Sequence, residues 1–189
     1  GRRAAACEAC GTIGAGGACR GVGVTHFCVM AANYLTAVAG ERAAVLEWNE
    51  SGAMERMELV CTGKVRPEKP FQVLGTDYYK AAGARELASC LDRYRYVLVD
   101  VGVIGDRNRD ELLRCDQFQI SVAFITMGGV TPLLQTLKEL EKKGVKGQIL
   151  TTNYLNFSEP RALEKLNGLK NITLKMYDVE AAGNGFHTK

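Results

Sequence analysis

The segment Gly14-Ala15-Gly16-Gly17-Ala18-Cys19-Arg20-Gly21-Val22-Gly23-Val24-Thr25-His26 is the part of this chain whose residue types and spacing suit chemistry best. Glycines at positions 14, 16, 17, 21 and 23 let a backbone turn until its N–H groups converge on an anion. A helix opening directly after such a loop adds the positive end of its dipole. Tight packing between a strand and a helix needs fewer glycines than this, so the loop reads as a phosphate site. His26 falls in the first helical turn. It reads as a plain helix residue that can still donate to a phosphate.

Such a loop requires a strand before it and a helix after it. A short buried strand is expected over 11–15. Phe27, Met30, Ala31, Tyr34, Leu35 and Val38 recur at helical spacing and predict a helix over 25–38, stopped by Gly40. Further strands are expected over 43–48, 71–74, 96–101, 120–126, 148–152 and 172–176. Helices are expected over 81–91, from the first turn at Pro132 to about Lys143, and over 159–166. Residues 54–60 are ambiguous, with a short helix as one reading. Strands alternating with helices predict an α/β domain in three layers, a mainly parallel sheet with helices on both faces. Ligands of such sheets bind at the carboxyl ends of the strands. No domain boundary is evident, so residues 1–189 read as one domain, with 1–6 and 178–189 as flexible ends.

Composition narrows the classes. The 189 residues are 47% hydrophobic and 24% charged, as in an ordinary globular chain. A net charge of +3 is too mild to imply nucleic acid. The densest basic run, Lys138, Lys142, Lys143 and Lys146, is interleaved with Glu139 and Glu141 and reads as a solvated helix face. No apolar run is long enough to span a membrane, and no signal-peptide pattern is present. The seven cysteines are odd in number and mostly in apolar surroundings, which reads as reduced usage. Cys7 and Cys10 form one CxxC pair, but a zinc site needs about four ligands and no second pair follows. A cytoplasmic location is expected, with recruitment to the membrane or a cell pole through a partner.

The order of motifs resembles the MinD/ParA family of P-loop ATPases. Arg20 to His26 is similar to the last seven positions of that family's KGGxGK[ST][ST] loop. Ala32-Asn33-Tyr34-Leu35 resembles the helix segment after it. Ala44 to Gly52 resembles the next strand and switch, Tyr94 to Val101 the strand ending in a metal-linked Asp, and Ile149 to Asn153 a late strand whose Asn contacts adenine. The resemblance implies nucleotide binding, ATP or ADP with Mg²⁺, at Arg20, Gly21, Val22, Gly23, Val24, Thr25, His26 and Asn153. It implies metal-linked roles for Thr25, Glu47 and Asp100, and a homodimer. The departures from the family pattern are large. Val24 stands where the phosphate-binding Lys belongs, and Cys19 where the signature Lys that reaches across the dimer belongs. Asn49 replaces the Asp that positions the attacking water, so no catalytic residue is assigned. Glu47 keeps a carboxylate, and Arg20 is a substitute cation placed elsewhere in the loop.

Phosphoryl transfer depends on offsetting charge at the transferred group, and one lost donor costs about 10²–10³-fold in rate. Three readings follow. The first is a degenerate MinD/ParA-like positional or assembly factor, similar to the TadZ/CpaE proteins of pilus and secretion systems, with weak or no hydrolysis. The second is a working ATPase with a rearranged loop that uses Arg20. The third is a nucleotide-free interaction domain. DNA binding ranks below these because the basic surface is weak.

Overall fold

The computed structural model describes residues 10–17, 20–67, 69–104 and 113–182. The chain divides after Ile104 into two compact units.

In the first unit, β1 (Gly11–Gly17), β5 (Tyr96–Val103), β2 (Ala43–Glu47) and β4 (Thr76–Tyr79) lie side by side in that order, all parallel. β3 (Phe71–Val73) closes the edge antiparallel to β4. All five residues of β2 are buried, as a central parallel strand requires. The pleat sends alternate side chains to opposite faces. Ala43, Val45 and Leu98 pack with Cys28 and Ala32 of α1 (Val24–Ala37) and with Met54 of α2 (Ala53–Thr62). Ala44, Leu46, Val97 and Val99 pack instead with Cys90 of α3 (Ala84–Leu91). The three layers expected from the sequence are therefore present here, with α1 and α2 on one face and α3 on the other.

Two expectations change in this unit. The strand predicted over 71–74 is half of a hairpin. Leu74 and Gly75 take positive φ (50° and 83°) in its two-residue turn, and Val73 pairs with Thr76. The helix predicted over 25–38 exists, but of its apolar set only Ala31 and Leu35 pack against the core beside Cys28 and Ala32. Cys28 and Ala32 are fully buried, while Phe27, Met30, Tyr34 and Val38 are 53%, 56%, 61% and 68% exposed. Small side chains let α1 lie close on the sheet, which the strand-to-loop geometry demands. The bulky stripe is left outside.

In the second unit, β6 (Gln117–Ser121), β7 (Lys146–Thr152) and β8 (Ile172–Tyr177) are parallel, with β7 central. The strands thus form two sheets, each dominated by parallel pairs. The predicted strand over 120–126 ends at Ser121, and the next stretch is loop. Pro132 sits in a 3₁₀ turn (Thr131–Leu133) between the single-turn α4 (Met127–Val130) and α5 (Leu134–Lys142). Leu137 and Leu140 of α5 join Ala162 and Leu166 of α6 (Pro160–Asn167) and Ile149 and Ile172 of the sheet in one core. Lys138, Lys142, Lys143 and Lys146 are exposed, as expected of a solvated face. A last short helix, α7, spans Val179–Ala182. No helix among the described residues is long and apolar enough to cross a membrane.

Candidate functional site

β1 runs past its first register with β5 through a shift between Ala15 and Gly16, so that Ala15 pairs with Asp100 but Gly16 with Gly102. Side chains of the β5 end crowd the β1 backbone here. A Cβ on Gly16 would lie 2.7 Å from Ile104 Cγ1 and 2.8 Å from Val101 Cγ2. The chain then turns through Gly21 (φ 82°) and Gly23 (φ 88°). Gly23 is the N-cap of α1, and its carbonyl accepts from Phe27 N at 2.8 Å. The first turn of α1 carries no acidic residue, so its positive end is not neutralised from within. Arg20, Gly21, Val22 and His26 are exposed, while Gly23, Val24 and Thr25 are half-buried. Cys19 lies outside the described residues, as do Cys7 and His187.

The fold brings Thr25 and Asp100 together across 75 positions of sequence: Thr25 Oγ1 donates to Asp100 Oδ2 at 2.6 Å. Asp100 is fully buried within β5, three residues before the strand ends, and its Oδ1 accepts from Gly102 N at 2.9 Å. The Asp100 carbonyl accepts from Trp48 N at 2.8 Å and from Asn49 Nδ2 at 2.9 Å. Asn49 Oδ1 accepts from Ser51 N at 2.8 Å, which fixes the orientation of the amide. Asn49 therefore holds β2 to β5 and shapes the turn after β2. Beneath the pair, burial, aided by the nearby Asp100 carboxylate, pushes the Cys28 thiol up to about 12. A thiol held protonated in this way is no nucleophile.

Glu47 pairs in register with Asp100 and is 2% exposed. Its Oε1 accepts from Ser51 Oγ at 2.7 Å, Ala53 N at 2.6 Å and Met54 N at 3.3 Å. It thus satisfies the first N–H groups of α2, whose N-cap, Gly52, has no side chain to do so.

Magnesium prefers oxygen donors and is held by one or two carboxylates together with substrate phosphates. Thr25 Oγ1 and the Asp100 carboxylate match that donor set. No group of three or more His, Cys, Asp or Glu poised for a metal occurs among the described residues, so a protein-only metal centre is not built there. The cysteines at 10, 28, 61, 90 and 115 are free thiols.

Asn153, in the second unit, follows β7. Its Nδ2 donates to Asp178 Oδ1 at 2.9 Å, and its Oδ1 accepts from Val179 N at 3.0 Å. The amide ties the end of β7 to the start of α7. The residues after it form a feature that strand and helix periodicity does not signal. Phe157 meets Phe124 edge-to-face at 5.9 Å and Tyr154 at 6.4 Å, with all three rings over 40% exposed. Leu155 and Asn156 between them take φ of 49° and 55°. The run Tyr154-Leu155-Asn156-Phe157 beside Asn153 was the available sequence signal.

No protein-family model matches the chain, and no curated protein matches it at a significant level. Solved structures do. A putative plasmid partition protein from Borrelia burgdorferi, bound to AMPPNP, is 11% identical, with 96% of this chain and 93% of that chain covered and a TM-score of 0.56. A ParA family ATPase from Chlorobium tepidum is 13% identical, with 93% and 87% covered and a TM-score of 0.55. The MinC:MinD cell division protein complex of Aquifex aeolicus is matched at 11% identity, with 89% and 81% covered and a TM-score of 0.57. At such identities the likeness establishes architecture.

Proposed function

The chain has a MinD/ParA-like fold, and from that premise we propose that it is an atypical protein of this type which binds ATP or ADP weakly, hydrolyses it slowly or not at all, and serves as a positional or assembly factor. The observation that carries this reading is the Thr25–Asp100 hydrogen bond at the head of α1, with Val24 beside it. The hydroxyl and carboxylate that would hold Mg²⁺ remain, and the cation beside them is gone. Mg²⁺ bound there would offset the charge of the outer phosphates. The loop amides and the α1 N-terminus would orient the nucleotide. Binding of AMPPNP by the Borrelia protein supports nucleotide as the ligand class.

The region that would position an attacking water supports weak hydrolysis. Asn49 donates to a backbone carbonyl and Glu47 caps α2, so both are committed to holding structure. Asn49 carries no carboxylate, and the Glu47 carboxylate is tied through Oε1 to Ser51 and the head of α2. Work of this kind is done through protein contacts. A homodimer and a further partner of the kind served by TadZ/CpaE-like proteins in pilus or secretion assembly complete the proposal. A second reading, hydrolysis assisted by Arg20, draws on the exposure of that side chain at the turn of the loop. Phosphate release with ATP and Mg²⁺ separates the two. The proposal expects a rate near background that Arg20→Ala does not change. A robust rate that collapses in Arg20→Ala would overturn it in favour of the second reading.

A further inference from the structure

The outer face of α1 is the least expected surface of the molecule. Phe27, Met30, Tyr34 and Val38 are spaced three, four and four residues apart and form one stripe, each more than half exposed. Ala37, at the next position of a three-four-three repeat, is exposed as well. The opposite face is already packed on the sheet through Cys28 and Ala32. The helix Val24–Ala37 contains no Asp, Glu, Lys or Arg. Surface helices of globular proteins carry charge on their outer side, and a helix apolar all round is normally buried. Monomers rarely expose a contiguous patch of this kind without a use for it.

We propose that this stripe is a self-association surface, and that two copies of the chain pair through their α1 helices about a two-fold axis. Four features favour a second copy as occupant. The three-four-three spacing supplies knobs that fit holes on an identical helix. A two-fold contact needs a patch complementary to itself, and a uniform apolar stripe meets that need. The absence of charge on α1 removes both like-charge repulsion across the axis and the cost of desolvating ions. The area is also adequate. Phe27 and Tyr34, at 53% and 61% exposure, leave roughly 100 Å² each from aromatic side chains of about 150–250 Å². With Met30, Val38 and the exposed Val22 just ahead of the helix, a pair buries on the order of 1,000 Å². That is the lower bound of specific interfaces and implies a reversible, micromolar dimer. The contact uses the back of α1, does not depend on nucleotide, and gives the homodimer proposed above an interface away from the loop.

Sedimentation velocity on the full chain without nucleotide, from about 1 to 200 μM, tests this. The expected result is a monomer–dimer equilibrium that Tyr34→Lys abolishes while the far-UV circular dichroism stays unchanged. Val60→Lys serves as the control. Val60 is 85% exposed on α2, off the stripe, and its substitution is expected to leave the dimer intact. A wild-type monomer throughout the range would overturn the proposal and assign the stripe to another occupant. A dimer equally strong in Tyr34→Lys would overturn it by placing self-association elsewhere.

Discussion

An aspartate could not do what Asn49 does. Its amide donates to the Asp100 carbonyl while its oxygen accepts from Ser51 N. A carboxylate keeps the second bond and turns the first into a contact between two acceptors. Asn49→Asp is therefore expected to destabilise the protein by about 1–3 kcal/mol, the cost of losing a part-buried hydrogen bond and setting a carboxylate oxygen against the Asp100 carbonyl. Asn49→Ala should cost less, because it adds no repulsion. Urea denaturation of the three proteins measures both, and equal stability of Asn49→Asp and the parent would remove the structural explanation for this residue. The position of Asn49 was legible in the sequence through its place after an apolar strand. Its bond to the Asp100 carbonyl was not, because that group lies on a strand 51 residues away. The pairing of Thr25 with Asp100 was hidden for the same reason: tertiary hydrogen bonds carry no local signal. The residue types at 24, 25 and 100 could be read directly, and the proposal of a metal-assisted loop without its usual cation rests on them.

Elements were more legible than their faces. Apolar runs marked β2, β5 and β7 within a few residues, since strands buried on both sides leave a continuous signal. β4 was missed because its turn lies at Leu74-Gly75, and a positive φ at Leu74 is not something a leucine advertises. In α1, periodicity located the helix but did not say which side faces the core, because both sides are apolar and only packing distinguishes them. The start of α2 was ambiguous for a related reason. Its N-cap is Gly52, and the capping group comes from Glu47, five residues earlier on β2. Glu47→Ala is expected to remove that cap and cost about 1–2 kcal/mol, in the range of lost N-cap side chains. Glu47→Gln, which keeps an acceptor, should cost less. Thermal or chemical denaturation without metal or nucleotide reads this out. Unchanged stability in Glu47→Ala under those conditions would show that the cap contributes nothing to the fold.

At the scale of the molecule, a parallel α/β architecture followed from the alternation of strands and helices, and the MinD/ParA-like fold bears it out. The distribution of strands over two sheets was not readable, because strand pairing depends on contacts between distant segments. The central proposal concerns the loop of the first unit: that Thr25 and Asp100 would hold Mg²⁺ for a nucleotide bound more weakly for want of one cation. A charge-assisted hydrogen bond contributes roughly 1.5–3 kcal/mol, so restoring the cation should tighten binding by about tenfold or more. Calorimetric titration of ATP, with and without Mg²⁺, into the parent chain, Thr25→Ala and Val24→Lys tests this most directly. The account predicts weak, saturable, Mg²⁺-dependent binding in the parent, loss in Thr25→Ala and clear tightening in Val24→Lys. No heat from the parent at millimolar ATP, or binding indifferent to Thr25→Ala, would contradict it.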